Sequence, residues 1–189
     1  MPEKENVVKF ALVGAQCVGK TTILDLLKKK FCNDLSIVFV EEGARLFFES
    51  NPQIIERSAD VQAQIQSFVL EREKAVYTPR VKTIVSDRSV IDPVVLAGIW
   101  DTHENAVKLH TNITDWLSTY TLFFILSHKG VPSIAEPKRK ETQAERIAIH
   151  EGLIQYCKIN HLPYLEITGN LEQRVKKIET IIFGKYSVG

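Results

Sequence analysis

Residues 14–21 read Gly14-Ala15-Gln16-Cys17-Val18-Gly19-Lys20-Thr21, which fits the pattern G-x-x-x-x-G-K-[ST] at every fixed position. An apolar run, Val7–Val13, leads into this stretch, and an amphipathic segment starts at Gly19. A strand, a glycine-bearing loop and a helix in this order let backbone N–H groups and the helix N-terminus surround a phosphate. We therefore expect Gly14 to Thr22 to bind a nucleotide, with Lys20 reaching its β- and γ-phosphates and Thr21 ligating Mg²⁺.

Five short apolar runs, rich in β-branched and aromatic residues, alternate with segments of helical spacing. Nearly continuous apolar runs are typical of strands buried on both faces of a parallel sheet, and the alternation implies βαβ crossovers. The sequence thus predicts a three-layer α/β fold in a single domain over residues 1–189. The predicted strands are Val7–Val13, Leu35–Val40, Val81–Ser86, Tyr120–Leu126 and Pro163–Ile167, and the predicted helices are Gly19–Lys30, Ala59–Val76, Ala106–Ser118, Gln143–Ile159 and Leu171–Phe183.

The composition limits the classes of partner. The 24 basic and 23 acidic side chains give a net charge of +1, which is too small to attract a phosphate backbone over the whole surface. A nucleic-acid partner is therefore not expected, although local patches at Lys28–Lys30 and Lys138–Lys140 leave a polynucleotide kinase open. Three cysteines without a CxxC pair, a charged N-terminus and no apolar run of 18 residues favour a cytoplasmic protein without a transmembrane segment. The helices predicted over Ala59–Val76 and Ala106–Ser118 offer surfaces for an oligomer interface.

Charged residues follow the third predicted strand as Ser86-Asp87-Arg88-Ser89. Open α/β sheets bind ligands at the carboxyl ends of their strands. We expect Asp87 to organise Mg²⁺, and Arg88 to hold a phosphate through two parallel hydrogen bonds. The alternative is that Asp87 caps the following helix while Arg88 forms a surface ion pair.

The second predicted strand ends in the same way, with Glu41, Glu42 and Arg45 close behind Val40. A carboxylate at this place can orient or deprotonate an attacking hydroxyl while an arginine holds the acceptor. We expect Glu42 rather than Glu41 to have that role and Arg45 to bind the acceptor. The alternative is that both glutamates lie in the first turn of a helix, where the dipole favours acidic groups.

The segment after the fourth strand, about residues 127–146, contains the basic cluster Lys138-Arg139-Lys140 and, further on, Arg146. This position is typical of the mobile lid of small kinases, whose arginines close over the transferring phosphoryl group. We expect Arg139 and Arg146 to act in this way, with a solvated basic surface as the alternative. Asn170, after the fifth strand, either brackets the adenine or simply caps the next helix.

These residues resemble the AAA-type P-loop kinase and ATPase family typified by the nicotinamide riboside kinase domain of NadR, and more distantly the deoxynucleoside and thymidylate kinases. The resemblance implies the strand order 2-3-1-4-5, ATP with Mg²⁺ as phosphoryl donor, and a small hydroxyl-bearing acceptor. It also implies that Glu42 holds or deprotonates the acceptor hydroxyl, that Asp87 organises Mg²⁺, and that Arg88 and Arg139 stabilise phosphoryl charge. The resemblance is carried by residues 14–21, the E-x-x-R of Glu42 to Arg45, Asp87-Arg88-Ser89, Glu136-Pro137-Lys138-Arg139 and residues 164–170.

The sequence therefore predicts an enzyme, a P-loop small-molecule kinase that transfers phosphate from ATP to a nucleoside, nucleotide or related metabolite. A Ras-type GTPase is disfavoured because neither D-x-x-G nor N-K-x-D occurs. The alternative from another class is an ATPase or nucleotide switch that docks a protein or membrane partner and has no small-molecule acceptor.

Overall fold

A five-stranded parallel sheet forms the centre of the structure, a computed structural model that describes residues 7–54, 58–130 and 141–184. Its strands are β1 (Val8–Val13), β2 (Ile37–Val40), β3 (Thr83–Asp87), β4 (Leu122–Leu126) and β5 (Tyr164–Ile167). They lie in the order β2-β3-β1-β4-β5, and all neighbours are parallel. The predicted strand order and fold class are confirmed.

Helices cover both faces of this sheet and link its parallel strands. They are α1 (Lys20–Lys30), α2 (Gly43–Ser50), α3 (Ala59–Ala75), α4 (Ile91–Trp100), α5 (His103–Thr111), α6 (Thr114–Leu117), α7 (Gln143–Ile159) and α8 (Leu171–Phe183). In the part of the chain that the structure describes, no helix is both long and apolar enough to cross a membrane.

Two helices were not predicted from the sequence, and one predicted helix is divided. Helix α4 was missed because it is apolar on nearly all sides and shows no amphipathic spacing, and α2 has only eight residues. The helix predicted over Ala106–Ser118 was wrong as a single element. It begins earlier, at His103, and breaks between Thr111 and Thr114, whose hydroxyls donate to the carbonyls of Val107 (3.0 Å) and His110 (3.1 Å).

The central strands bury almost all of their side chains. Ala11 to Val13 in β1 and Phe123 to Leu126 in β4 have no exposed surface. Leu12 lies opposite Asp87 in the β1–β3 register, so the ends of these two strands meet at one edge. The carboxyl edge of the sheet is therefore a rigid base for the loops that follow β1, β3 and β4.

A buried ion pair connects helix α3 with the sheet. Lys9 in β1 and Glu73 in α3 form a salt bridge, and neither side chain has any exposed surface. The Glu73 carboxylate also accepts hydrogen bonds from Trp116 Nε1 (2.6 Å) and from the Tyr120 hydroxyl (2.6 and 2.8 Å). The backbone N–H of Val90 donates to that same hydroxyl (3.4 Å). The network thus links α3 to the turn that follows β3.

Candidate functional site

The loop between β1 and α1 has positive φ angles at two glycines, which adopt such angles without steric strain. Gly14 has φ 146°, and a Cβ on it would lie 3.0 Å from the carbonyl oxygen of Leu126, while Gly19 has φ 92°. Lys20 is 5% exposed, and its Nζ donates to the carbonyl oxygens of Gly14 (2.9 Å) and Ala15 (2.7 Å). Burial and the nearby Arg88 guanidinium lower the pKa of Lys20 from its ordinary value. The loop therefore encloses a cation near its backbone.

Thr21 and Asp87 lie side by side at the start of α1 and the end of β3. The Thr21 hydroxyl donates to Asp87 Oδ2 at 2.6 Å, whereas the buried Asp87 Oδ1 has no hydrogen-bond partner. Burial raises the pKa of Asp87 from its ordinary value. A hydroxyl beside a carboxylate with an unused oxygen is a donor set that suits Mg²⁺, which prefers oxygen ligands and keeps several of them from water and phosphate. The described residues contain no cluster of three or more His, Cys, Asp or Glu that could hold a metal by itself.

Arg88 is held between two carboxylates. Its Nε donates to Glu42 Oε1 (2.6 Å) and its Nη1 to Asp92 Oδ1 (3.1 Å). Burial alone would lower the pKa of Arg88, but the charges of Glu42 and Asp92 raise it overall. The backbone of Arg88 has φ 68°, in the left-handed region, and its N–H donates to the carbonyl of Leu12 (2.9 Å). Arg88 is thus buried and fixed, and the alternative of a surface ion pair does not describe it.

Asp92 was not found by the sequence reasoning. Its carboxylate contacts Arg88 four residues earlier and also accepts from the N–H (2.9 Å) and hydroxyl (3.0 Å) of Ser89. The spacing of four residues between an arginine and an aspartate at a helix start was an available signal. The N-cap of α4 is Val90 and has no side-chain cap, so Asp87 does not cap this helix, and Asp92 lies in its first turn.

The two adjacent glutamates face different surroundings. Glu41 accepts from Lys28 Nζ (2.6 Å) and is half-exposed, whereas Glu42 lies largely buried against Arg88. Burial alone would raise the pKa of Glu42, but Arg88 and Lys20 lower it overall. Glu42 is therefore an ionised carboxylate at neutral pH at the edge where β2 ends.

A narrow cleft, too tight in this structure to admit a water molecule, lies between the ends of β2 and β3 and the side of α3, and Glu41 and Gly43 on either side of Glu42 line it. Arg72, a residue that the sequence reasoning missed, lines the cleft, and its buried Nε has no hydrogen-bond partner. Arg45 lies on the exposed side of α2, where its Nε is 3.8 Å from Glu49 Oε1. Arg72 and Arg88 thus line the cleft in this structure, whereas Arg45 does not. The cleft is lined by Val40, Glu41, Gly43, Val69, Arg72, Glu73, Ser86, Asp87 and Arg88.

The start of α7 faces the phosphate-loop side of the edge. Glu141, just before α7, accepts from the Gln16 backbone N–H (2.7 Å) through its carboxylate. Arg146 is 3% exposed, and its Nε and Nη2 have no hydrogen-bond partner. Arg139 and the cluster Lys138–Lys140 lie outside the described residues.

The loop after β5 also borders the phosphate loop. Asn170 caps α8, because its side chain accepts from the Gln173 N–H at 3.0 Å. Arg174, which the sequence reasoning missed, is buried and donates to the carbonyls of Gly169 (2.7 Å), Val18 (3.2 Å) and Lys129 (3.4 Å). Arg174 therefore joins the loops that follow β1, β4 and β5.

The buried side-chain polar atoms without a partner are concentrated at this edge. Buried polar groups are normally hydrogen-bonded, so unsatisfied ones need an explanation. Each such atom found in the described part of the chain belongs to the phosphate loop, the end of β3 or β4, the side of α3 or the first turns of α7. They are Gln16 Oε1, Arg72 Nε, Asp87 Oδ1, His128 Nδ1, Arg146 Nε and Nη2, and His150 Nδ1.

Comparison with known proteins gives one family match. A family model described as an AAA domain matches residues 9–174. Thymidylate kinase from Nautilia profundicola is 29% identical over 190 residues, and the alignment covers 89% of this chain and 95% of that protein.

Solved structures share the fold at low sequence identity. A structure of NadR in complex with NR has a TM-score of 0.74 at 18% identity over 97% of this chain, and one with NAD and AMP-PNP has a TM-score of 0.72 at 18% identity over 94%. The chain spans about half the length of the NadR chains, 52% and 50%. Thymidylate kinase from Candida albicans has a TM-score of 0.64 at 13% identity, with 96% of this chain and 93% of that chain covered.

Proposed function

Because the chain belongs to the AAA domain family, we propose that it is an ATP- and Mg²⁺-dependent phosphotransferase acting on a nucleoside, nucleotide or related small metabolite. One observation carries the proposal: unsatisfied buried polar atoms stand both beside the phosphate loop and in the cleft between β2, β3 and α3. A donor site and an acceptor site on one edge are what a phosphoryl transfer needs. Cytoplasmic location is part of the same proposal.

The phosphate loop would hold the donor. Backbone N–H groups from Gly14 to Thr22 and the ammonium of Lys20 would surround the phosphates of ATP. The Thr21 hydroxyl and Asp87 would hold Mg²⁺, since Asp87 Oδ1 has no other partner. When bound, Mg²⁺ would neutralise charge on the β- and γ-phosphates. Asn170 would lie near the base, because the loop before α8 is tied to the phosphate loop through Arg174.

The acceptor would bind at the outer end of this cleft, which would have to widen to admit it, with its hydroxyl near Glu42. The ionised Glu42 carboxylate would accept the hydroxyl proton while the acceptor oxygen bonds to the γ-phosphorus. The bond from that phosphorus to the bridging oxygen breaks, and ADP leaves with the electron pair. Arg88 positions Glu42 through their 2.6 Å hydrogen bond. Arg139 and Arg146 would stabilise the charge of the phosphoryl group.

Related proteins support this assignment by their names. The name thymidylate kinase denotes an enzyme that phosphorylates a nucleotide. The NadR structures hold NR, NAD and AMP-PNP. We propose an acceptor of the same general kind for this chain. The unpartnered Arg72 Nε favours an acceptor that presents a hydrogen-bond acceptor or a negative group to α3.

The direct test is turnover with a panel of acceptors. The protein with MgATP is screened against nucleosides, nucleotides and nicotinamide riboside by ADP release and by thermal shift with an ATP analogue present. We expect ADP release that depends on one acceptor class, and an acceptor-dependent shift of the melting temperature. ATP hydrolysis that no acceptor accelerates would contradict a kinase and favour the ATPase or nucleotide switch.

Replacement of Glu42 by glutamine is expected to lower kcat by about 10²- to 10⁴-fold while ATP affinity changes little. The amide removes the negative charge that receives the hydroxyl proton, but it keeps the size of the side chain. The measurements are steady-state kinetics with the acceptor from the panel and calorimetry with an ATP analogue. Glu71→Gln is the control, because the exposed Glu71 on α3 pairs with Lys74 and does not line the cleft. Equal kcat values for the two variants would contradict the role of Glu42.

Replacement of Glu141 by glutamine is expected to tighten ADP binding by about five- to tenfold. The Glu141 carboxylate accepts the Gln16 N–H, and a nucleotide phosphate on the loop would need that same donor. A neutral amide competes less well than a carboxylate, by about 1 kcal/mol. Calorimetry with ADP measures the change, and Glu104→Gln, on the exposed surface of α5, serves as the control. Unchanged or weaker binding by the Glu141 variant would contradict this competition.

A further inference from the structure

A histidine pair lies beside Arg146 at the end of β4. The rings of His128, which follows β4, and His150, in α7, are in edge-to-face contact with centroids 5.1 Å apart. His150 is 5% exposed, and its Nε2 lies 3.0 Å from Glu166 Oε1. The Nδ1 atoms of both rings and two guanidinium nitrogens of Arg146 have no hydrogen-bond partner. Four unsatisfied nitrogen atoms thus occur in three neighbouring side chains.

The hydrogen bond to Glu166 fixes which nitrogen of His150 carries a proton. A carboxylate only accepts, so His150 Nε2 donates to it, and the neutral ring then has an acceptor at Nδ1. That acceptor has no donor in the structure. A proton at Nδ1 would turn it into a donor, which would need an acceptor in turn. The unsatisfied nitrogen atoms of the cluster would gain partners if His150 took up a proton at Nδ1 and an anion bound next to it.

The charges around His128 also favour the binding of an anion. Burial lowers the pKa of His128, and so do any positive charge on His150 and the charges of Arg146 and Lys129, while Glu151 raises it. On the neighbouring elements, Glu166 faces His150 from β5. These surroundings therefore favour a neutral His128. A negative ligand next to Arg146 would reverse the balance and favour the imidazolium.

The cluster adjoins the phosphate loop. Lys129, the residue after His128, accepts from Arg174 through its carbonyl, and Arg174 also donates to Val18 in the loop. From the other side, Glu141 before α7 contacts the Gln16 N–H. A phosphate chain held on the loop would therefore lie on the side of the loop that adjoins this cluster.

We propose that His128, Arg146 and His150 form a subsite for phosphate oxygens of the bound nucleotide, and that nucleotide binding takes up a proton on the histidine pair. The inference rests on the proposed function, because it requires a nucleotide on the phosphate loop. Since the bound anion favours the imidazolium, nucleotide affinity rises as the pH falls through the range below about 6.5. The histidine pair would contribute at most a tenfold change in affinity per pH unit for each proton taken up.

The test is calorimetry with ADP and Mg²⁺ at pH 6.5 in two buffers of different ionisation enthalpy. The difference in heat gives the number of protons taken up. We expect the wild-type protein to take up more protons per ADP than His128→Gln, by up to one. The control variant His103→Gln, at an exposed position at the start of α5, should match the wild type. Subtraction of the variant value removes the titration of the ADP phosphates, which is common to all three proteins.

A second measurement uses no variant of the cluster. In NMR spectra of the wild-type protein, ADP should raise the titration midpoint of one ring of the pair, whereas adenosine, which has no phosphates, should leave that midpoint unchanged. Binding of ADP with equal proton uptake in the wild type and His128→Gln would overturn the subsite and leave the proposed function intact. Absence of ADP binding to the wild type would overturn the proposed function itself. A shift of these ring signals by inorganic phosphate that persists in Lys20→Ala would show an independent anion site and overturn the assignment to the nucleotide.

Discussion

Replacement of Lys20 by alanine is expected to lower kcat by roughly a hundredfold to a thousandfold, as removal of one charge-stabilising donor does in other active sites. The Lys20 ammonium is buried and donates to the Gly14 and Ala15 carbonyls, so the backbone of the phosphate loop holds it in place. Negative charge on the γ-phosphoryl group and the leaving ADP would no longer be balanced. Initial-rate kinetics with saturating MgATP and acceptor measure the loss.

The control for Lys20→Ala is Lys29→Ala on the same helix, where the lysine is exposed. That variant should retain the wild-type kcat, and both variants should keep the wild-type circular dichroism spectrum. A Lys20 variant with kcat within about threefold of wild type would exclude a role for this loop in phosphoryl transfer. Such a result, with ATP binding unchanged, would leave the loop as a strand-to-helix turn without catalytic function.

Sequence reasoning found the parts of the site that depend on neighbours along the chain. The phosphate loop, with its fixed glycines before Lys20, is a local pattern, because the strand, turn and helix that shape it are contiguous. The bounds Gln143–Ile159 and Leu171–Phe183 agree with α7 and α8, since both helices start at a capping box and have an amphipathic face. Strand order came from the resemblance to a family and not from composition.

The parts that were missed depend on contacts across the fold. Arg72 reaches the cleft only because α3 packs against the ends of β2 and β3, and Glu141 meets Gln16 across 125 positions of the chain. The choice between Glu41 and Glu42 also depends on distant partners, Lys28 for one and Arg88 for the other. No periodic pattern in a single sequence contains these pairings.

Replacement of Glu73 by glutamine is expected to lower the free energy of unfolding by about 3–5 kcal/mol at pH 7, a large share of the 5–15 kcal/mol that is typical of a domain. The change leaves the buried Lys9 ammonium without its carboxylate, and the amide cannot accept from Lys9, Trp116 and Tyr120 together as the carboxylate does. Urea denaturation followed by circular dichroism measures the loss. Glu71→Gln is the matched control, because Glu71 in the same helix forms an exposed pair with Lys74 and should change stability by less than about 1 kcal/mol.

The loss of stability caused by Glu73→Gln should also depend on pH, because Glu73 influences the pKa of Lys9. Burial lowers the pKa of Lys9 to about 8, although Glu73 raises it in part. Between about pH 8 and 10.5 the folded wild-type protein therefore binds fewer protons at Lys9 than the unfolded chain, and this residue makes stability rise with pH. Without Glu73 the pKa of Lys9 falls further, so the rise begins at lower pH and the difference from wild type shrinks between pH 7 and pH 10. A difference that stays constant over this range would mean that the lost hydrogen bonds to Trp116 and Tyr120, and not the buried charge of Lys9, set the cost of the substitution.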